Sequence, residues 1–323
     1  MPKDSRTMKY LQYIGIALGA AYGLIYRLLC EQDGADKVFD FSIYSVSFVW
    51  ILPIVIGIIP IIFAPKEVLK SRWKPILFPM ASVFLFFLFA LASGLEDLLC
   101  LLILVIPYLI AAGIAGVLVS LIIVKTSSKK LYTIVLLPFL LNPIEAFLPN
   151  QTEQFNIESS IAIEASPDIV WEYLVEVPEI KKEEYSSGIL NAIGVPRPLR
   201  SKLEVIDGET YRIGYFSNGL KLCESVSEQD RPRLLNFKIH MDKSELRDTP
   251  TDKHLLNSDY FKFENITYLL DRQEDGTTVL RLSCDYRLQS KMNGYANFWA
   301  ERVIKDFETR LLDVLKKKVE KER

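Results

Sequence analysis

Apolar residues come in long blocks through the first half of this 323-residue chain and in alternation through the second. Five blocks stand out, at 10–30, 41–64, 75–94, 98–124 and 131–148. A hydrocarbon core of roughly 30 Å takes about 20 apolar helical residues, so the pattern predicts about five transmembrane helices in a membrane domain over 1–150. The last block is short and contains Asn142-Pro143, which removes an internal helical hydrogen bond. A kinked span and a re-entrant segment both fit it.

Beyond residue 150 the period changes. Phe155, Ile157, Ile161 and Ile163 alternate with Asn156, Glu158, Ser160 and Glu164, as in a half-buried strand. Ser166-Pro167-Asp168 then opens a helix with Val170, Trp171, Leu174 and Val175 on one face, and a second helical turn is expected over 179–185. After a loop punctuated by Gly188, Gly194, Pro196 and Pro198 come six strand-like runs, near 202–206, 211–216, 220–227, 234–241, 260–272 and 278–288. Asp207-Gly208, Asn218-Gly219, the stretch 229–232 and Asp275-Gly276 read as hairpin turns, which makes the sheet an antiparallel meander. The stretch 242–259 is too long for a hairpin loop and reads as a lid or binding loop.

From Asn293 a helix of about 25 residues carries Trp299, Val303, Phe307, Leu311, Val314 and Leu315 along one apolar stripe. Only the face of the sheet is large enough to cover it. Lys316, Lys317 and Lys318 in its last turns suit the negative end of the helix dipole; a basic membrane-contacting patch is the functional alternative.

Charge follows the same division. Residues 1–150 hold 12 of the 38 Lys and Arg and 9 of the 40 Asp and Glu, so the net charge of -2 splits into +3 and -5. Basic residues gather at Lys3, Arg6 and Lys9, at Lys66, Lys70, Arg72 and Lys74, and at Lys125, Lys129 and Lys130, which places these three segments in the cytoplasm. The intervening loops carry Glu31, Asp33, Asp36 and Asp40, then Glu96 and Asp97, with Lys37 their only base. Arg27, near the outer end of the first span, argues the other way unless it snorkels. Five crossings put the C-terminal domain outside the cytoplasm of a bacterial inner membrane; a re-entrant last segment leaves it inside. The basic start and apolar run could suggest a cleavable signal, but the run is too long for that. Glu145 is the one carboxylate expected at membrane depth, either as a functional group or as an interfacial residue near a helix end.

The acidic balance of the C-terminal half gives phosphate no support, so nucleic acid is not an expected partner. Cys30, Cys100, Cys223 and Cys284 show no zinc or disulfide spacing, and His240 and His254 form no ligand motif. No metal and no cofactor are expected.

The order β-α-α-β6-α over residues 155–320 resembles the helix-grip superfamily, the START, Bet v 1 and polyketide cyclase-like (SRPBCC) group. The run from Ile161 to Trp171 is similar to its opening strand and helix, and Asn297-Phe298-Trp299-Ala300 leading to Leu311-Leu312 is similar to its closing helix. Gly194-Val195-Pro196, Tyr215-Phe216-Ser217-Asn218-Gly219, Arg231-Pro232-Arg233-Leu234 and Asp275-Gly276-Thr277-Thr278 look like phrases of bacterial polytopic membrane proteins bearing such a domain. The resemblance implies an α-helical transmembrane region followed by an α+β domain, a seven-stranded antiparallel sheet wrapped around a long C-terminal helix. It also implies a cavity between them of the kind that takes lipids, sterols or polyketides. No catalytic position carries over.

Alternation makes Glu224 share a strand face with Leu220, Leu222 and Val226, and Tyr286 one with Leu280, Leu282 and Leu288, so both are candidates to line that cavity. Tyr211, Tyr215, Glu264 and Tyr268 are further candidates, with Trp299, Val303 and Phe307 on the helix. A hydrogen-bonded structural residue or a solvated face is the plain alternative for each; a buried carboxylate with a raised pKa would mark a working group. Three functions fit. The first is a membrane-tethered module that takes a hydrophobic, lipid-like molecule from the bilayer. The second is a closed-core interaction or regulatory domain. The third is a cyclase- or hydrolase-like enzyme with a cavity carboxylate or Tyr as acid or base, for which no motif is present.

Overall fold

A computed structural model gives the fold over residues 5–31, 42–126 and 132–321, in two units that divide after Asn150. Lys3, Asp33, Asp36, Lys37, Asp40, Lys129 and Lys130, read above for orientation, lie outside the described residues, as do the first residues of the second and fifth expected spans, Phe41 and Leu131.

The first unit is helical: α1 (Ser5–Cys30), a π-helical turn (Ser47–Ile51) running into α2 (Leu52–Ile62), α3 (Lys66–Leu69), α4 (Lys74–Ala92), α5 (Leu98–Thr126) and a 3-10 turn (Tyr132–Leu136) running into α6 (Leu137–Ala146). Among the described residues, three helices are long and apolar enough to cross a membrane, at Tyr13–Cys30, Lys74–Ala92 and Leu98–Thr126. The other two expected spans are shorter, at Ser47–Ile62 and Thr133–Glu145. Glu145 explains the first of these. Its carboxylate accepts hydrogen bonds from the Val46 amide (2.6 Å), the Ser47 amide (3.0 Å) and the Ser47 hydroxyl (2.9 Å), so it satisfies donors at the start of that helix. Asn142 beside it donates to the Tyr26 hydroxyl (2.7 Å) and to Ser45 (3.2 Å). Arg27 does not snorkel: it is fully buried and neutralised by Glu96 and Glu31, each at 2.6 Å. Gly15, Gly19 and Gly23 recur at every fourth residue of α1 and admit α2 and α4 to its backbone; a Cβ at Gly19 would stand 2.8 Å from the Ile56 carbonyl oxygen.

The second unit opens with β1 (Gln151–Ile163) and α7 (Pro167–Val175), passes a one-turn helix α8 (Ile189–Ala192), then runs β2 (Pro198–Ile206), β3 (Glu209–Phe216), β4 (Lys221–Asp230), β5 (Leu234–Glu245), β6 (Phe261–Arg272) and β7 (Thr278–Ser290), and closes with α9 (Asn293–Lys321). The strands form one sheet in the order β1-β7-β6-β5-β4-β3-β2, every neighbouring pair antiparallel. Two hairpin corners use positive φ where the sequence supplies tolerant residues, Asp207 (53°) with Gly208 (84°) and Asn218 (63°) with Gly219 (88°). The helical turn expected over 179–185 forms no helix and only a single hydrogen-bonded turn, the Glu184 amide donating to the Lys181 carbonyl (3.1 Å). Its backbone is committed elsewhere: the Ile180 amide donates to the Leu199 carbonyl (2.7 Å) and Val177 accepts from the Ser201 amide (3.0 Å), so this segment docks along β2. The short helix forms ten residues later, in what reads as a loop.

Helix α9 lies along the inner face of the sheet. Leu311, Leu312, Val314, Leu315 and Val319 join Ile163, Leu280, Leu282 and the α7 residues Val170, Trp171 and Leu174 in one core. At the N-terminal end of α9, Ala296, Ala300 and Ile304 meet Ile157, Cys284, Tyr286 and Leu288 in a second. This is a helix grip, a seven-stranded antiparallel sheet holding a long C-terminal helix. The lysines at the end of α9 are engaged within the unit: Lys316 donates to the Ala162 carbonyl, Lys318 to the Glu179 carbonyl and Glu184, and Lys317 to Asp313.

Candidate functional site

Alternation and register settle which candidates look inward. Arg212 on β3 pairs across the ladder with Glu224 on β4, and Tyr268 on β6 with Leu282 on β7, all on the face that meets α9. Tyr286 is on the same face, sandwiched between the rings of Phe155 and Phe261 with centroids 5.7 and 5.6 Å away; its hydroxyl donates to Asn297 on α9 (2.6 Å). Glu224, Tyr268 and Tyr286 thus all face inward, Tyr268 in the main core and Tyr286 in the second. Trp299, Val303 and Phe307 on α9 are partly buried, and Phe307 meets Phe216 at the end of β3 with ring centroids 6.0 Å apart.

Three candidates stand on the other face. Tyr211 and Tyr215 cluster with Ile213 and Cys223 there, Tyr211 donating to Glu209 (2.6 Å) and Tyr215 to Glu204. Tyr215 also borders a surface depression of about 390 Å³ lined by residues of both charges, among them Lys181, Glu183, Arg197 and Arg200. Glu264, at a bulge in β6, accepts from Gln154 (3.1 Å) and lies 3.6 Å from Arg287. His240 is on this side too, 2.8 Å from the Ser225 hydroxyl and edge-on to Tyr211.

The interior holds two further ionisable features, neither of them among the residues expected from the sequence to act together. Arg212 is 7 % exposed and bound to Glu224, itself 6 % exposed; it also donates to the Val175 carbonyl (3.1 Å) and lies 4.7 Å over the Phe237 ring. Burial disfavours the guanidinium charge, but Glu224 and Tyr268 outweigh this and hold its pKa above the usual value. The pair is legible by counting strand positions outward from the Asn218-Gly219 turn, which sets Arg212 opposite Glu224.

The second feature is Glu308, on α9. It is 2 % exposed, and neither carboxyl oxygen has a hydrogen-bond partner. The Ser159 hydroxyl on β1 faces it and draws its pKa down, yet falls short of hydrogen-bond geometry and is itself unsatisfied. Burial dominates and pushes the carboxyl up to about 7, with Glu158 adding to the rise and Lys305 opposing it. Burial likewise pushes the Tyr268 phenol up to about 12, and Glu224 and Glu308 reinforce it. Glu308 sits four residues after Ile304 and four before Leu312, so a carboxylate on the buried stripe is the signal the sequence carried.

One mouth of the grip is closed by the stretch between β5 and β6. Leu246 and Leu256 pack on Leu220, Leu222 and Ile239, and a short π-helix (Asp252–Leu256) forms there. Arg247 ties it down: it holds the fully buried Asp252 at 2.5 Å and donates to the Gly194 carbonyl at 2.9 Å.

No protein-family model and no curated protein matches this chain. Among solved structures, it is similar to the Zhui aromatase/cyclase from Streptomyces sp. R1128, at 14% identity over 52% of this chain and 94% of that one, with a TM-score of 0.34. It is also similar to norcoclaurine synthase from Thalictrum flavum in complex with dopamine and hydroxybenzaldehyde (14% identity, 53% and 90% covered, TM-score 0.34). A third is the ginseng major latex-like protein 151 from Panax ginseng (13% identity, 48% and 96% covered, TM-score 0.27). The helix-grip assignment rests on the strand order and the seating of α9 described above.

Proposed function

We propose that the chain is a membrane-tethered binding protein for a hydrophobic, lipid-like molecule, taken between the inner face of the sheet and the N-terminal half of α9. One observation carries this reading. Phe216, Met241 and Phe263 on the sheet, Leu246 and Leu256 on the stretch between β5 and β6, and Trp299, Val303 and Phe307 on the helix are apolar positions that remain partly exposed, whereas the C-terminal half of α9 is sealed. An apolar lining left incompletely covered favours an apolar occupant, at about 25 cal/mol for each Å² withdrawn from water. The three apolar helices support the tether, since the chain passes into β1 directly at Gln151.

The test is organic extraction of the purified full-length chain, with mass spectrometry of the extract, beside Val303→Asp. Wild type is expected to yield about one hydrophobic molecule per chain, and the variant less than about a tenth of that, because a carboxylate in an apolar site costs several kcal/mol. An empty wild type, or equal yields, would reject the reading in favour of a closed-core interaction domain.

A further inference from the structure

Helix α9 changes character at Glu308. On its C-terminal side Leu311, Leu312, Val314, Leu315 and Val319 are buried in the main core; on its N-terminal side Ile304 is the one apolar residue that is buried, and Ala296, Trp299, Ala300, Val303 and Phe307 are only partly so. Glu308 stands at this boundary with both carboxyl oxygens enclosed and unpartnered.

The groups facing it come from four elements. β1 presents the Ser159 hydroxyl and, more remotely, Glu158; β7 presents Cys284; β6 presents Tyr268; α9 itself presents Lys305. Lys305 is solvent-exposed, and Arg212 is already engaged by Glu224. Burial raises both the Cys284 thiol and the Tyr268 phenol, so neither ionises near neutral pH, whereas Glu308 does. A carboxylate formed here has no compensating charge in contact and must reach water. The N-terminal half of α9 has less buried apolar surface to hold it than the C-terminal half, so it is the part that yields.

We propose that Glu308 is a pH-operated latch on the ligand space: protonated, it lets α9 close on the sheet, and ionised, it releases the segment 293–307 while 311–321 stays docked. This rests on the reading that the space beneath that segment takes a ligand. Closing is favoured in acid and opening in mild base, so uptake or release of the occupant follows local pH.

Hydrogen exchange of the full-length chain in detergent, corrected for the intrinsic pH dependence of exchange, tests the latch without any ligand. Protection over 293–307 is expected to fall about tenfold between pH 6 and pH 8.5, with 311–321 unchanged. Glu308→Gln keeps the shape and removes the charge, and is expected to stay protected at both pH values. Constant protection in wild type, an unchanged pH response in Glu308→Gln, or loss spread evenly along α9 would each overturn the latch. If protection does not respond to pH while a hydrophobic molecule still co-purifies, the latch fails and the binding function stands. If it responds as expected and nothing co-purifies, the latch is upheld as a property of the fold and the binding function fails.

Discussion

A carboxyl group titrating near pH 7 in the folded state, as Glu308 does, retains a proton that the unfolded chain gives up near pH 4.5. Its contribution is therefore fully present below about pH 4.5 and is lost as pH rises through 7, a change of about 3 kcal/mol. Pulse proteolysis in urea, following fragments of residues 151–321, should show wild type less stable at pH 8 than at pH 5.5. Glu308→Gln should flatten that slope and exceed wild type at pH 8; a wild type equally stable at both values would contradict the assignment. Arg212 and Glu224 carry the opposite lesson, because each is buried only in company. Glu224→Leu leaves the guanidinium alone and should cost about 3–5 kcal/mol, while the double change Arg212→Met with Glu224→Leu should restore most of it. Periodicity alone assigns Glu224 and Tyr286 to the inner face, and register adds Arg212. Periodicity also puts Glu308 beside the stripe, four residues from Ile304 and from Leu312, but a polar residue there looks like an interruption until its burial is seen.

At the scale of elements, hairpins and the closing helix were legible because their signals are local. Asp207-Gly208 and Asn218-Gly219 supply positive φ, and the stripe from Leu311 to Leu315 demands a large apolar partner. The second helix was misplaced because the segment 177–180 gives its hydrogen bonds to β2, a tertiary choice that overrides local pattern. Tyr211, Tyr215 and Glu264 depend on the phase of their strands, and the bulge between Phe263 and Asn265 shifts that phase within β6. The stretch between β5 and β6 behaves as a closed flap held by Arg247. Arg247→Ala removes the bonds to Asp252 and Gly194 and leaves a buried carboxylate, so limited trypsin digestion should cut after Lys253 at least about tenfold faster. Cleavage at the wild-type rate would show that the apolar contacts of Leu246 and Leu256 suffice.

Across the whole molecule, helix length and loop charge give different weights to the segment Ser47–Ile62. It is short for a span, yet only if it crosses do the basic residues from Lys66 to Lys74 share the side of the basic N-terminus. Local thinning of the bilayer accommodates a short apolar helix at modest cost. Ser42→Cys and Ser71→Cys should therefore react with a membrane-impermeant maleimide from opposite sides, Ser71→Cys from the cytoplasm; labelling from one side would make the segment non-spanning. The central claim is that a hydrophobic molecule sits between the sheet and α9, and photocrosslinking locates it most directly. With a diazirine-bearing long-chain alcohol added to the full-length chain in vesicles, the account predicts adducts on peptides containing Phe263, Trp299 and Phe307, lost in Val303→Asp. Adducts confined to the helices of residues 13–126 would contradict it.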